Sequence, residues 1–196
     1  MTAVLPDQRH FAAFHEAGHA VLGYFTYPRA RIREVFIAGG PPLSGSPLPD
    51  PNGEWRGRAE FSFDVPRNGD PLLAFADMMQ TVAGEMAERN AGGCPSGTEL
   101  QNDQAEFADQ TQAAVGSLYL PPSLANYRAS SQTLEDAARH LAVQVLIAYP
   151  RAVQAIVDAL LGAPYRRWRV LSPGYGTGYC HRITGRVAMD LMRSYS

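Results

Sequence analysis

Five consecutive residues, His15-Glu16-Ala17-Gly18-His19, combine two imidazoles and a carboxylate at a spacing that suits metal-assisted hydrolysis. On an α-helix, residues four apart share a face one turn up, so His15 and His19 can present ring nitrogens to one ion. Glu16 follows the first histidine directly, so its carboxylate projects beside the ion rather than onto it. There it can take a proton from a water whose pKa a zinc ion lowers to roughly 7. Two ligands and one general base thus fit within a single helical turn. The competing reading is an amphipathic helix that carries the pattern by chance, a coincidence expected in on the order of one such sequence in a hundred. Yet Phe11, Phe14, Ala20 and Leu22 make this stretch apolar. Without a metal, the helix would bury two imidazoles that need other partners.

Such residues act only if a scaffold fixes them. Asp7 is placed to cap a helix whose apolar pattern runs from Phe11 to Phe25 and stops at Tyr27-Pro28. Two strand-like runs follow, over 31–39 and 56–65. The second alternates Ala59, Phe61, Phe63 and Val65 against Arg58, Glu60, Ser62 and Asp64. Between them, the Gly-, Pro- and Ser-rich stretch 39–54 reads as a flexible loop. Asp70-Pro71 opens a second helix that ends at Gly92-Gly93, and Thr98 with Gln101 forms a capping box for a third, reaching about Val115. Residues 121–132 read as a linker. Thr133 then caps a long helical pattern to Leu161, which Pro150 must kink or split. The tail reads as a loop and a short last helix. The expected fold class is mostly α, of the α+β type, with a small antiparallel hairpin after the histidine helix. The 196 residues fit a single domain, with 164–196 as a C-terminal appendage.

Composition narrows the chemistry. The formal net charge is −2, so no basic excess points to nucleic acid. All 17 basic residues are arginine; the absence of lysine excludes a Walker A loop and a lysine Schiff base within this chain. Two cysteines, Cys94 and Cys180, are too few for a disulfide framework and suit a reducing compartment. No signal peptide or membrane-length apolar run is read, so a cytoplasmic protein without membrane insertion is expected. His10, His140 and His181 are isolated and carry little information. Arg166, Arg167 and Arg169 around Trp168 read as a solvated face.

FHEAGHAVLGYF (14–25) resembles the zinc helix of the FtsH-type metalloproteases, whose signature is HEAGHA followed by a small-residue turn. The strand ending GRAEFSF resembles that family's hairpin after the zinc helix, and MMQTVAGEMAERNAGG its next helix, with an AGxxAE core. HLAVQVLIAYPRAVQAIVDALL looks like the family's antiparallel helices near the C-terminus, and ITGRVAMDLM like its closing segment. Only HEAGH is highly specific. The family's transmembrane segments and AAA+ ATPase module have no counterpart in these residues, so the likeness is to the protease domain alone.

The resemblance implies a Zn2+ cofactor, Glu16 as general base, and a third ligand from an Asn-Asp pair opening the third helix. Catalytic zinc keeps three protein ligands and one open position. In SGTELQNDQAEFAD the pair is Asn102-Asp103, so Asp103 comes first, although its gap from Gly97 is slightly longer than the family's and Glu99 could occupy the equivalent place. Glu99 comes second, then Glu85 or Glu88 on the second helix. The expected activity is that of a zinc metalloendopeptidase acting on a polypeptide substrate, with Arg58 to Val65 as a candidate edge for pairing it. Lacking a motor, it would cleave peptides or unfolded chains, borrow a partner ATPase, or cut a dedicated regulatory target. The alternatives are a catalytically silent zinc-binding interaction module and a zinc hydrolase of non-peptide amides.

Overall fold

The computed structural model describes residues 7–26, 30–39, 48–63, 71–95, 98–115, 131–169 and 177–195. Helix α1 (Gln8–Thr26) starts at Asp7, whose Oδ1 accepts the His10 backbone N–H at 2.9 Å, the expected N-cap. Strands β1 (Ala30–Gly39) and β2 (Trp55–Phe63) form the expected hairpin. They pair antiparallel from Ala30 opposite Phe63 to Gly39 opposite Trp55, with a register shift between Ile32 and Glu34. Of the expected loop over 39–54, residues 40–47 lie outside the described residues. The rest folds back on itself: Gly53 N–H and Trp55 Nε1–H both donate to the Asp50 carbonyl.

Helix α2 (Pro71–Asn90) ends where glycine was expected to stop it. Gly92 takes a φ of 86°, and the N–H of Gly93 reaches back to the Glu88 carbonyl at 2.9 Å, closing a Schellman turn. Helix α3 (Thr98–Val115) has the expected span. Of the expected linker, 121–130 lie outside the described residues, and 131–132 begin helix α4 (Ser131–Ala148). Pro150 splits the long pattern: α5 (Pro150–Gly162) leaves α4 at 79°.

The C-terminal segment corrects the sequence reading. It contains β3 (Arg166–Arg169), β4 (Thr177–Thr184) and α6 (Gly185–Arg193), and it is not an appendage. β4 pairs antiparallel with β1, from Glu34 opposite Thr184 to Ile37 opposite His181, giving a four-stranded antiparallel sheet of order β2-β1-β4-β3. Ala188 and Met192 of α6 are fully buried. The reason for the misreading is physical. Cys180, His181 and Ile183 are all buried, so β4 shows no apolar–polar alternation, and β3 is four residues with three arginines.

The protein is thus mostly helical with one small sheet, and α1 lies between two cores. One joins its Ala13, Ala17 and Val21 to the sheet, α5 and α6. The other sets Leu22 with α2, Phe107 of α3, and α4. Small residues let α2 press directly on α1. A Cβ on Gly18 would collide with the Ala83 carbonyl and lie 2.7 Å from the Ala87 Cβ. Gly18→Ala should therefore lower the unfolding free energy by about 1–3 kcal/mol through overpacking, despite alanine's helix propensity; urea titration checks this. Among the described residues no single helix is long and apolar enough to cross a membrane.

Candidate metal centre

The apolar stripe that drives α1 into the core carries His15 and His19 with it, one turn apart and both facing α2. His19 is oriented from α2: its Nδ1–H donates to the Gln80 carbonyl at 2.7 Å. A carbonyl can only accept, so Nδ1 carries a proton, and Nε2 is the nitrogen left to bind an ion once the ring is neutral. Glu88 plays the looser counterpart for His15, with Oε2 3.4 Å from Nδ1. Helix α3 closes the arrangement by bringing Asp103 Oδ2 to 3.0 Å from His15 Nε2 and 3.4 Å from His19 Nε2. One donor atom from each of the three residues lies within 4.8 Å of the other two, so His15, His19 and Asp103 could together hold a metal ion.

The other acids considered from sequence stand elsewhere. Glu85 is turned away and doubly paired, accepting from Arg89 Nε at 2.9 Å and from the Arg139 guanidinium at 3.0 Å. Glu88 contacts a histidine from behind, as an orienting group. The Glu99 side chain lies outside the described residues.

Glu16 sits beneath β2 with 3% exposure, and its carboxylate accepts a hydrogen bond from the Ala59 backbone N–H. Its Oε2 has no hydrogen-bond partner among the described residues. Gly57 makes this placement possible, because a Cβ there would lie 2.6 Å from Glu16 Cγ. Glu16 and the three-residue cluster line one cavity of about 340 Å³, whose rim includes Arg58, Ala59, Glu60 and Phe61 of β2. Sequence reasoning missed Gly57 and Gln80. A lone glycine in an alternating strand is a signal for close approach, whereas a backbone carbonyl leaves none.

The electrostatics are those of a cation site. Burial lowers the pKa of His15, but the Asp103 and Glu88 carboxylates outweigh it and hold the ring well above its ordinary range. His19 is likewise raised, burial being outweighed by Asp103. Burial works against the Asp103 carboxylate, yet the two imidazoles hold it far below the usual carboxylate range. Burial raises Glu16, against the pull of both histidines. Two nitrogen donors, one oxygen donor and an adjacent buried carboxylate oxygen fit a hard-to-borderline divalent ion. No protein-family model matches this chain and no curated protein matches it.

A pH prediction follows from these shifts. With folded pKa values above 6.5, the two histidines stabilise the metal-free chain below pH 6.5, and that contribution is lost as pH rises through their raised values. A metal requires both rings neutral, so it competes with those protons. Affinity should rise with pH across the same window, with protons released as the ion binds. Calorimetry in buffers of different ionisation enthalpy measures that release directly.

Proposed function

We propose that this protein is a zinc-dependent metallopeptidase in which His15, His19 and Asp103 hold the ion and Glu16 is the general base. The observation that carries the reading is Glu16: a buried carboxylate, one oxygen unpartnered among the described residues, facing the same cavity as the three donors. A site that held metal only for structure would have no use for such a group. Zinc bound there would act as a Lewis acid, polarising a carbonyl and bringing the pKa of a coordinated water to about 7. The chain's own residues do the rest. Glu16 takes a proton at Oε2 and returns it to the leaving amine, its pKa raised by burial towards a value suited to both steps. The Ala59 N–H holds the other side of that carboxylate in place.

Substrate presentation falls to β2, one edge of the sheet. Its residues 58–61 border the cavity, so an extended polypeptide adding to this edge would lie across Glu16 and the cluster. Such pairing reads backbone rather than sequence, and suits peptides or unfolded chains. The resemblance of the His15–His19 helix to FtsH-type proteases supports the same reading. These residues contain no lysine for a P-loop, so any ATP-driven unfolding of stable substrates would come from outside them.

The test is degradation of casein by the zinc-loaded chain without ATP, beside the same protein stripped by a chelator and then reloaded. Cleavage that disappears on stripping and returns on reloading supports the peptidase. A folded, zinc-binding chain that leaves casein and short peptides intact would instead favour a silent zinc-binding module.

A further inference from the structure

Gly84 lies inside α2, more than one turn from either end, where glycine is the least favourable ordinary residue apart from proline. Its surroundings explain it. A Cβ placed on Gly84 would stand 2.5 Å from His15 Nε2, 2.5 Å from His19 Nε2 and 2.6 Å from His15 Cδ2. Non-bonded heavy atoms settle at about 3.5 Å, so a methyl group there must displace both ligand nitrogens.

The rings cannot simply swing aside and keep their roles. Gln80, Gly84 and Glu88 are four apart and therefore share one face of α2. The two outer positions engage the histidines at Nδ1: the Gln80 carbonyl takes His19 at 2.7 Å, and Glu88 approaches His15 at 3.4 Å. The middle position presents bare backbone to the two Nε2 atoms. Acceptor, gap, acceptor on α2 thus matches the two rings on α1.

We propose that Gly84 is a positioning residue for the metal: the missing side chain lets both Nε2 atoms converge with Asp103 on one ion. This rests on the reading of the cluster as a metal site, and it adds a residue that is neither a ligand nor a hydrogen-bonding partner. Because the atoms that a methyl would strike are the ends of side chains, Gly84→Ala should fold. The damage falls on metal binding.

The experiment is zinc titration of the full chain against a chromophoric chelator, with melting curves of the metal-free proteins. Gly84→Ala should keep the wild-type helical circular dichroism and bind zinc on the order of 100-fold more weakly, as when ligand orientation is lost. A second comparison introduces Gly84→Ala into a His15→Ala, His19→Ala chain. With the rings gone, alanine should raise the melting temperature through helix propensity, by more than it does in the wild-type background. Wild-type zinc affinity in Gly84→Ala would overturn the inference. So would a melting change that is the same in both backgrounds, since residue 84 would then act on packing alone. A wild-type chain that binds no zinc would sink the metal reading itself, and is told apart by that first titration.

Discussion

Glu16→Gln should bind zinc as tightly as the wild-type chain and hydrolyse polypeptide about 10³-fold more slowly. The substitution is nearly isosteric, and the amide oxygen can keep the bond from the Ala59 N–H. What is lost is the ability to take a proton, and a positioned general base contributes about 10²–10⁴ in rate. The proposed ligands are untouched: the contacts of His15 and His19 with Asp103 do not run through Glu16. Hydrolysis and affinity must therefore separate. A glutamine variant that loses zinc would make Glu16 a ligand, and one that keeps its rate would remove it from the chemistry. The wild-type pH profile supplies a second check. Glu16 must be ionised to accept a proton, and its pKa is raised by burial above the ordinary 4.5. The acidic limb of the rate profile should lie above pH 4.5, with activity falling as pH drops through it.

The histidine helix was legible because its signals agree. An apolar stripe, an aspartate cap and two histidines at helical spacing all point to one face of one helix, and α1 runs from Gln8 to Thr26 with Asp7 capping it. Asp103 is a weaker case. It is 84 residues beyond His19 in the chain, so nothing local relates them; the resemblance to a family supplied the candidate, and the packing of α3 against α2 brings it to 3.0 Å from His15. Glu85 shows the limit of such reasoning. In sequence it was as eligible as Glu88, and only the positions of Arg89 and Arg139 decide that it is spent on ion pairs. The sheet was half legible for a related reason. The β1–β2 hairpin is local and alternates on one strand, whereas β4 joins β1 from about 150 residues away and is covered on both sides. Burial on both faces erases the period of two, leaving a stretch with a cysteine, a histidine and an arginine that looks like a loop. The glycines at 57 and 84 were visible as residues but not as roles, because a close approach has two sides and a sequence prints them separately.

That late strand also carries the largest stability effect expected outside the site. Glu34 on β1 is fully buried, and its Oε2 accepts from Arg182 Nε on β4 at 2.7 Å. The Arg182 guanidinium in turn lies 5.1 Å from the Trp168 ring centre, with Arg166 at 4.1 Å, so β3 is drawn into the same contact. Arg182→Ala removes this partner from a carboxylate in the interior and should cost up to about 3–5 kcal/mol, far more than an exposed ion pair. For a chain of this size that lowers the melting temperature by roughly 10 °C. The effect belongs to keeping a charge buried after this ion pair is removed rather than to the lost attraction alone. Glu34→Leu combined with Arg182→Met should accordingly recover most of the loss, since apolar residues of similar volume can replace a buried pair at little net cost. If the double variant melts as low as Arg182→Ala, the damage comes from lost packing against Trp168 instead. Zinc affinity offers an independent control. β4 lies on the side of β1 away from β2, and neither Glu34 nor Arg182 borders the cavity. The single variant should therefore bind zinc normally at temperatures where it remains folded, separating what holds the sheet together from what holds the metal.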